Sequence, residues 1–478
     1  MNLRAMLKAY LGILTVLGLL MLSVPLIDIV YGEPISMLFL IVGEALILIG
    51  LLAGGLSAEP LSPLEALSVG ALGWLTLPVI SGLILNYEVG IPLVDSVFES
   101  VSGFTGTGFT VLTLRGMKHS IIFWRSLMQW TGELGFVVFA MVFVPYFYEV
   151  ARGLYGVERP VKIEASFYRT ALRLLMTYVV LTAAGAVFYY LSGMTLFESV
   201  NHIMTTIATG GMSTYDKGYA LIFSRASITY VPVMVFMILG GMNLYDLNNL
   251  VSGRIRSLVR SEELQYYLLT VVIVPLIAFL SYILVEHYSD IRAAFLQSIF
   301  NTVSGITTTG FSIGSLKALK EPTKAIITMG MFIGSMSFST AGGIKSLRLM
   351  LIFKKFRHAI TSMIVPPSAV RTITTLKRVI SESDISNALL LVIIHAFAVF
   401  TGATIISAYG YSFIDSLFEA TSAASCVGLS VGVVSAHAQL GVKLTIISLM
   451  LLGRIEYLHL FLLISFLVNR RIFKVLRV

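Results

Sequence analysis

The stretch SGITTTGFS, residues Ser304 to Ser312, occurs in related form four times along the chain. The other copies are SGFTGTGFT at 102–110, TTIATGGMS at 205–213 and SAASCVGLS at 422–430. Each copy has a glycine followed by a large apolar residue and a hydroxyl residue, and a serine stands twelve residues before that glycine. The four glycines are Gly108, Gly211, Gly310 and Gly428. Such a repeated peptide, centred on glycine and rich in Ser and Thr, indicates a functional element.

Each copy follows an apolar-rich stretch of two to three helical turns, at 93–101, 196–204, 295–303 and 413–421. A helix of that length is too short to cross a bilayer, which takes ~20 residues, and it suits a re-entrant helix. Glycine permits backbone conformations in which successive carbonyls face one axis. Four such segments around an axis replace the hydration shell of a cation with carbonyl oxygens. Because non-helical backbone at membrane depth needs a surrounding protein or a water-filled cavity, the pattern predicts a cation pore.

We expect the selectivity filter to take four residues from each copy. These predicted potassium-binding residues are Thr105, Gly106, Thr107, Gly108, Ala208, Thr209, Gly210, Gly211, Thr307, Thr308, Thr309, Gly310, Ser425, Cys426, Val427 and Gly428. The only metal expected here is the transported monovalent cation.

The composition is that of a membrane protein, since 57% of the 478 residues are hydrophobic and 12% are charged. A soluble domain has roughly 25% charged residues. The net charge of +8 does not indicate nucleic acid, because 22 of the 33 Lys and Arg residues lie in the amino terminus, three loops between repeats and the tail. Basic loops on one side of the membrane follow the positive-inside rule, so the expected partner of this charge is anionic lipid. The single cysteine excludes an intramolecular disulfide and a cysteine-based zinc cluster.

The chain reads as an N-terminal helix pair followed by four repeated units, each a spanning helix, a re-entrant helix with its filter segment, and a second spanning helix. The predicted fold is an all-α polytopic membrane protein with about ten spanning helices around one pore. We place the helix pair at 1–60 and units 1 to 4 at 61–151, 152–260, 261–378 and 379–478.

Within the units, helix bounds follow from the apolar stretches. The first helices are expected at 64–85, 171–191, 264–285 and 387–408, and the second helices at 121–146, 230–250, 324–353 and 440–467. An even number of spans puts both termini on one side, and Arg4, Lys8, Arg470 and Arg471 identify that side as the cytoplasm. The predicted location is the plasma membrane.

Each second helix carries a cluster of small residues about 24 positions or slightly more after its filter glycine, so that Glu133, Gly241, Ser335 and Arg454 are quasi-equivalent. An ionisable group at membrane depth is a functional candidate. Arg454, below the filter, is expected to raise the barrier to a passing cation. Its partner is either Glu133 in another unit or Glu456 nearby in the sequence, and a purely structural ion pair is the alternative.

The second helix of unit 3 contains GSMSFSTAGGIK at 334–345. A helix tolerates one glycine at a cost of ~1 kcal/mol, but not this cluster. We therefore predict an unwound gate, which the other second helices lack, with close packing of small residues between helices as the alternative. The predicted gate residues are Gly334, Ser335, Ser337, Ser339, Thr340, Ala341, Gly342, Gly343 and Lys345.

Other polar residues carry weaker signals. Asp95, Glu99, Glu198 and Glu419 flank the re-entrant helices and either attract cations to the pore mouth or cap short helices. His202 is expected to pack or to form hydrogen bonds. The chain shows no nucleotide-binding loop and no clustered nucleophile, base or metal-ligand set, so neither an enzyme nor a cofactor in this chain is expected.

Together these motifs resemble the TrkH/KtrB superfamily of potassium transporters. The resemblance rests on the four single-glycine filters, GSMSFSTAGGIK before Ser346 and Gly453-Arg454 in the last helix; it covers residue 64 to the carboxy terminus. The helix pair at the front is similar to the TrkH branch. The resemblance implies potassium uptake through one pore per subunit, a homodimer, and a cytoplasmic ring of nucleotide-binding regulatory subunits of the TrkA/KtrA type. It also implies that 334–345 gates the pore and that Arg454 hinders potassium below the filter.

Two departures from the family pattern stand out. Glu133 occupies a position where the family commonly has glycine, and Cys426 and Val427 replace Ser/Thr-like filter residues. Two alternatives stay open: a sodium- or proton-coupled symporter, in which Glu133 or Glu456 carries the coupling ion, and a weakly selective Na/K pore.

Overall fold

The computed structural model describes residues 2–56, 59–135, 138, 167–364, 374–375 and 378–457. Most of the carboxyl ends predicted for the second helices of units 1 and 4, the basic residues between 152 and 162, and the tail from residue 458 lie outside these ranges.

The N-terminal helix pair has three helical segments, Leu3–Met21, Ser23–Tyr31 and Met37–Gly54. The first two segments form one arm of the pair and the third forms the other. Small residues let the backbones of the two arms pack closely, since a methyl group at Gly18 would meet the Gly43 carbonyl oxygen at 2.6 Å. This is the close approach that glycine allows between helices in a membrane.

The first helices of the units lie within five residues of the predicted bounds, at Pro63–Val89, Phe167–Leu191, Glu262–Leu284 and Glu382–Ser407. Two of them begin with a capping box, in which Ser62 and Glu65, or Ser381 and Asp384, satisfy each other's backbone N–H groups.

The re-entrant helices lie at Leu93–Phe104, Leu196–Ile207, Ile291–Ile306 and Phe413–Ala424. They have 12 to 16 residues, fewer than the ~20 that a bilayer span requires. Each runs three residues further than its apolar stretch and delivers the chain directly into a filter segment.

The second helices differ from the prediction, because every one of them breaks or ends at its small-residue cluster. They lie at His119–Leu134, Tyr230–Gly240 with Leu244–Val251, Glu321–Ile333 with Ser346–Ile364, and Leu440–Arg454. The expectation that only unit 3 is interrupted was therefore wrong. Gly241 ends the helix in unit 2, and the left-handed Gly135 (φ 95°) and Glu456 (φ 50°) follow the helix ends in units 1 and 4.

Among the described residues, six helices are long and apolar enough to cross a membrane: both arms of the helix pair and the four first helices. The second helices fall short of that length because they are broken or leave the described ranges. Large apolar side chains on the spanning helices face outward, as a lipid solvent requires, Leu52 being 80% exposed and Phe397 74% exposed.

The remaining elements of the described chain are short. They are the helices Tyr219–Arg225 and Ile255–Val259, the 3-10 turn Ser227–Thr229, and an antiparallel pair of two-residue strands, Thr374–Thr375 and Arg378–Val379.

Candidate functional site: a four-segment filter and the loop beneath it

The filter segments share one unusual backbone pattern. The second and the fourth residue of each segment have positive φ, a region that L residues other than glycine rarely adopt. At the second position φ is 66° for Gly106, 50° for Thr209, 53° for Thr308 and 52° for Cys426. At the fourth position it is 91°, 69°, 84° and 86° for Gly108, Gly211, Gly310 and Gly428. The same backbone conformation recurs in all four units, and in three of them a residue other than glycine adopts it, which indicates one common structural task.

The four segments form a closed ring. A methyl group on the glycine at the fourth position of any segment would overlap the carbonyl oxygen of the third filter residue in the next unit. The distances are 1.9 Å from Gly108 to Gly210, 1.8 Å from Gly211 to Thr309, 2.0 Å from Gly310 to Val427 and 2.1 Å from Gly428 to Thr107. Since unit 4 returns to unit 1, the sixteen predicted filter residues belong to one ring. Val427 supplies its carbonyl at the same place as the other three units, although its side chain has no oxygen.

A second ring of polar residues, which the sequence analysis did not recognise as a set, holds the filter from behind. These residues stand nine positions before the filter glycines, and all are at least 99% buried: Glu99, His202, Asn301 and Glu419. Their common spacing is the signal that could have identified them.

Each member of this second ring binds the chain just beyond its filter segment. Asn301 makes two 2.9 Å hydrogen bonds with the backbone of Ile313. His202 Nε2 lies 3.0 Å from Ser213 Oγ. Glu99 accepts from the Val111 N–H and Glu419 from the Val431 N–H, each at 3.1 Å.

The carboxylates of Glu99 and Glu419 therefore hold the backbone by hydrogen bonds and are not exposed at a pore mouth. Glu99 also forms an ion pair with Arg125, whose Nε lies 2.6 Å from Glu99 Oε1. Arg125 donates in addition to the Ser213 carbonyl in unit 2 at 3.0 Å. Of the other two acidic residues, Glu198 caps its helix and Asp95 pairs with Lys443 of unit 4 at 2.6 Å.

The predicted gate segment, 334–345, is not helical and folds back on itself between Ile333 and Ser346. Its two ends lie side by side, because a methyl group on Gly334 would meet the Gly342 carbonyl oxygen at 2.5 Å. The Lys345 N–H donates to the Ile333 carbonyl at 3.2 Å, and Lys345 Nζ donates to the Ala341 carbonyl.

The tip of this segment contacts the filter segments of units 2, 3 and 4. The Gly342 N–H donates to Thr308 Oγ1 at 2.8 Å. A methyl group on Gly342 would meet the Ser425 carbonyl oxygen at 1.9 Å. Thr340 Oγ1 lies 3.4 Å from Thr209 Oγ1 in the filter segment of unit 2, and 3.0 Å from the carbonyl oxygens of Ile207 and Gly240 at the ends of that unit's helices.

The flanks of the segment are tied to neighbouring helices. Glu263 Oε1 accepts from the Ser337 N–H at 2.5 Å and from Ser346 Oγ at 3.2 Å. The Met336 N–H donates to the Gly241 carbonyl at 3.1 Å, and Ser335 Oγ donates to the Ile306 carbonyl at 2.9 Å.

Of the two possible partners of Arg454, the structure pairs it with Glu133. The guanidinium forms an ion pair with the Glu133 carboxylate, donates to the Gly132 carbonyl at 2.8 Å, and lies 4.9 Å from the ring centroid of Trp74. Glu456 pairs instead with Arg348. Arg454 is therefore held against the wall of unit 1.

A cavity of about 390 Å³ opens below the filter. Its lining combines the gate segment, Cys426 of the filter and four charged residues, Lys345, Arg348, Arg454 and Glu456. Among the described residues no group of His, Cys, Asp and Glu is arranged to hold a metal ion. The arrangement as a whole is a ring of backbone carbonyls with a loop and a charged cavity on one side.

Comparison with known proteins agrees with this geometry. The family model TrkH, described as a cation transport protein, matches residues 74–473. An uncharacterized cation transporter of Methanocaldococcus jannaschii is 29% identical over 450 residues, which cover 93% of this chain and 92% of that protein. The Trk system potassium uptake protein TrkH of Salmonella typhimurium is 29% identical over 409 residues, 82% of this chain and 83% of that protein.

The fold also matches a solved structure, the potassium transporter TrkH from Vibrio parahaemolyticus. The TM-score is 0.84 at 24% sequence identity, and the match covers 97% of this chain and 98% of that one. The family match spans most of the chain and includes the filter segments. This chain belongs to the TrkH family of cation transport proteins.

Proposed function

We propose that this protein takes up potassium across the cell membrane through a gated pore whose filter is the ring of four single-glycine segments. The observation that carries the proposal is the closure of that ring, in which each filter glycine packs against a backbone carbonyl of the next unit. Rings of carbonyl oxygens replace the hydration shell of a monovalent cation. Because the family consists of transporters, the protein is a membrane cation transporter and not an enzyme.

The Trk names of the relatives support potassium as the substrate. The position of the Val427 carbonyl also supports selectivity for potassium. Coordination by backbone carbonyls does not need the side-chain hydroxyl that Val427 lacks. We further propose a homodimer in the plasma membrane, with both termini in the cytoplasm and a nucleotide-binding ring of the TrkA/KtrA type as regulator.

The test is rubidium flux in proteoliposomes that contain the purified protein, under an imposed potassium gradient. We expect the direction of flux to follow that gradient alone, at any sodium concentration and pH. Flux that requires a sodium or proton gradient would instead establish the symporter.

We propose that the segment 334–345 is the gate. Its tip sits against the filter segments of three units, and the Thr340 hydroxyl is a defined attachment point in unit 2. A buried hydrogen bond contributes ~1 kcal/mol, so its loss shifts a closed-to-open equilibrium about fivefold.

Thr340→Val is therefore expected to raise rubidium leak about fivefold in the absence of a regulatory subunit. The matched control is Thr404→Val, since the Thr404 hydroxyl donates within its own helix, to the Phe400 carbonyl at 2.8 Å, and bonds to nothing else among the described residues. A Thr340→Val leak equal to that of wild type and control would place the gate elsewhere.

A further inference from the structure

The second position of the filter segments lacks a side chain in one of the four units. At the second filter position units 2, 3 and 4 carry Thr209, Thr308 and Cys426, whereas unit 1 carries Gly106. In units 2 and 3 these side chains face the gate segment: Thr308 Oγ1 accepts from the Gly342 N–H, and Thr209 Oγ1 lies 3.4 Å from Thr340 Oγ1. Gly106 of unit 1 has no side chain that could contact the gate segment at this position.

The carboxylate of Glu133 fills the space left at Gly106. A methyl group on Gly106 would lie 2.0 Å from Glu133 Oε1 and 2.6 Å from its Cδ. Glu133 is 1% exposed, so its carboxylate is packed directly against the filter segment of unit 1. The inner face of the filter is thus met by the gate segment on three sides and by Glu133 on the fourth.

Arg454 holds this carboxylate in place. It forms an ion pair with the other oxygen, Glu133 Oε2, and is itself fixed by the Gly132 carbonyl and the Trp74 ring. Removing one partner of a buried pair leaves an uncompensated charge, whereas removing both does not. The arrangement therefore directs Oε1 to the filter and Oε2 to the arginine.

We propose that Glu133 is a filter residue supplied by a second helix, and that its Oε1 binds a partly dehydrated monovalent cation at the inner end of the ring. It takes the place of the side chain that Gly106 lacks, and Arg454 acts as its positioning partner. This inference rests on the proposed function, because it adds a site to the same conduction path. It also places Arg454 in the pore wall, where the Glu133 carboxylate offsets its positive charge. Arg454 is then not a barrier on the pore axis.

The experiment measures rubidium in two ways, as equilibrium binding to the purified protein in detergent and as concentration-dependent uptake into proteoliposomes. Glu133→Gln keeps the shape and removes the charge. We expect the rubidium dissociation constant and the half-saturating concentration to rise about tenfold, which corresponds to ~1.4 kcal/mol. The control is Glu382→Gln, which removes the carboxylate of an exposed ion pair with Lys355.

The double variant Glu133→Gln/Arg454→Gln removes both charges of the pair together, so it tests the idea even if the single variant folds poorly. It should show the same weakened binding. Wild-type affinity in the folded double variant would assign the pair to packing and overturn the inference. If wild-type protein transports no rubidium into proteoliposomes, the proposed function fails. The equilibrium binding measurement in detergent still decides the role of Glu133.

Discussion

Replacing Gly310 with serine is expected to reduce rubidium uptake by ~100-fold, the equivalent of ~3 kcal/mol. Two effects act together. Gly310 has a φ of 84°, where a side chain is strained, and its new Cβ would lie 2.0 Å from the Val427 carbonyl oxygen. Because the overlap is with a backbone atom, the filter segments of units 3 and 4 must move apart to make room for the new side chain.

The matched control is Gly410→Ser. Gly410 has a similar φ of 94°, but among the described residues no atom beyond its own chain neighbours lies within 4 Å of the position that its Cβ would take. Uptake should be measured for both variants at equal reconstituted amounts, with folding checked by size-exclusion chromatography. If Gly410→Ser lowers uptake as much as Gly310→Ser, backbone strain and not the ring contact explains the loss.

Arg125→Met is expected to destabilise the protein by ~3–5 kcal/mol, the range found when one partner of a buried ion pair is removed. Arg125 is 1% exposed and Glu99 is fully buried, so the carboxylate left behind has no access to water. The variant also loses the hydrogen bond to the Ser213 carbonyl of unit 2. The measurement is the thermal unfolding temperature in detergent.

Two companion variants separate charge from packing. Arg225→Met breaks a pair whose arginine side chain is 47% exposed, so its effect should be much smaller. Glu99→Gln/Arg125→Met removes the uncompensated charge and should recover part of the stability. Equal losses in the single and the double variant would show that the arginine side chain matters through packing and not through the ion pair.

The re-entrant helices and the first helices could be predicted because local signals fix them. Apolar stretches of distinct length separate spanning helices from short ones, and the glycine that ends each filter segment needs a positive φ that other residues adopt only at a cost. The four repeated glycines could therefore be singled out by pattern alone, and the structure places them in one ring, while their role as a filter stays a prediction.

Other features depend on contacts between units, which the sequence does not display. The carboxylate that pairs with Arg454 is 321 residues away, while Glu456, two positions along the chain, turns to Arg348. The break after Gly240 has the same origin, because the Gly241 carbonyl accepts from the Met336 N–H of unit 3. A helix that used the Gly241 carbonyl for its own hydrogen bond would take this partner from the Met336 N–H.

The reversal potential of wild-type protein, measured in a planar bilayer with potassium on one side and sodium on the other, decides whether the ring selects potassium. A ring of four carbonyl-lined segments that selects potassium predicts a reversal potential displaced strongly in the direction that potassium permeation produces. A reversal potential near zero would contradict selective potassium uptake, and would make the ring a weakly selective pore for monovalent cations.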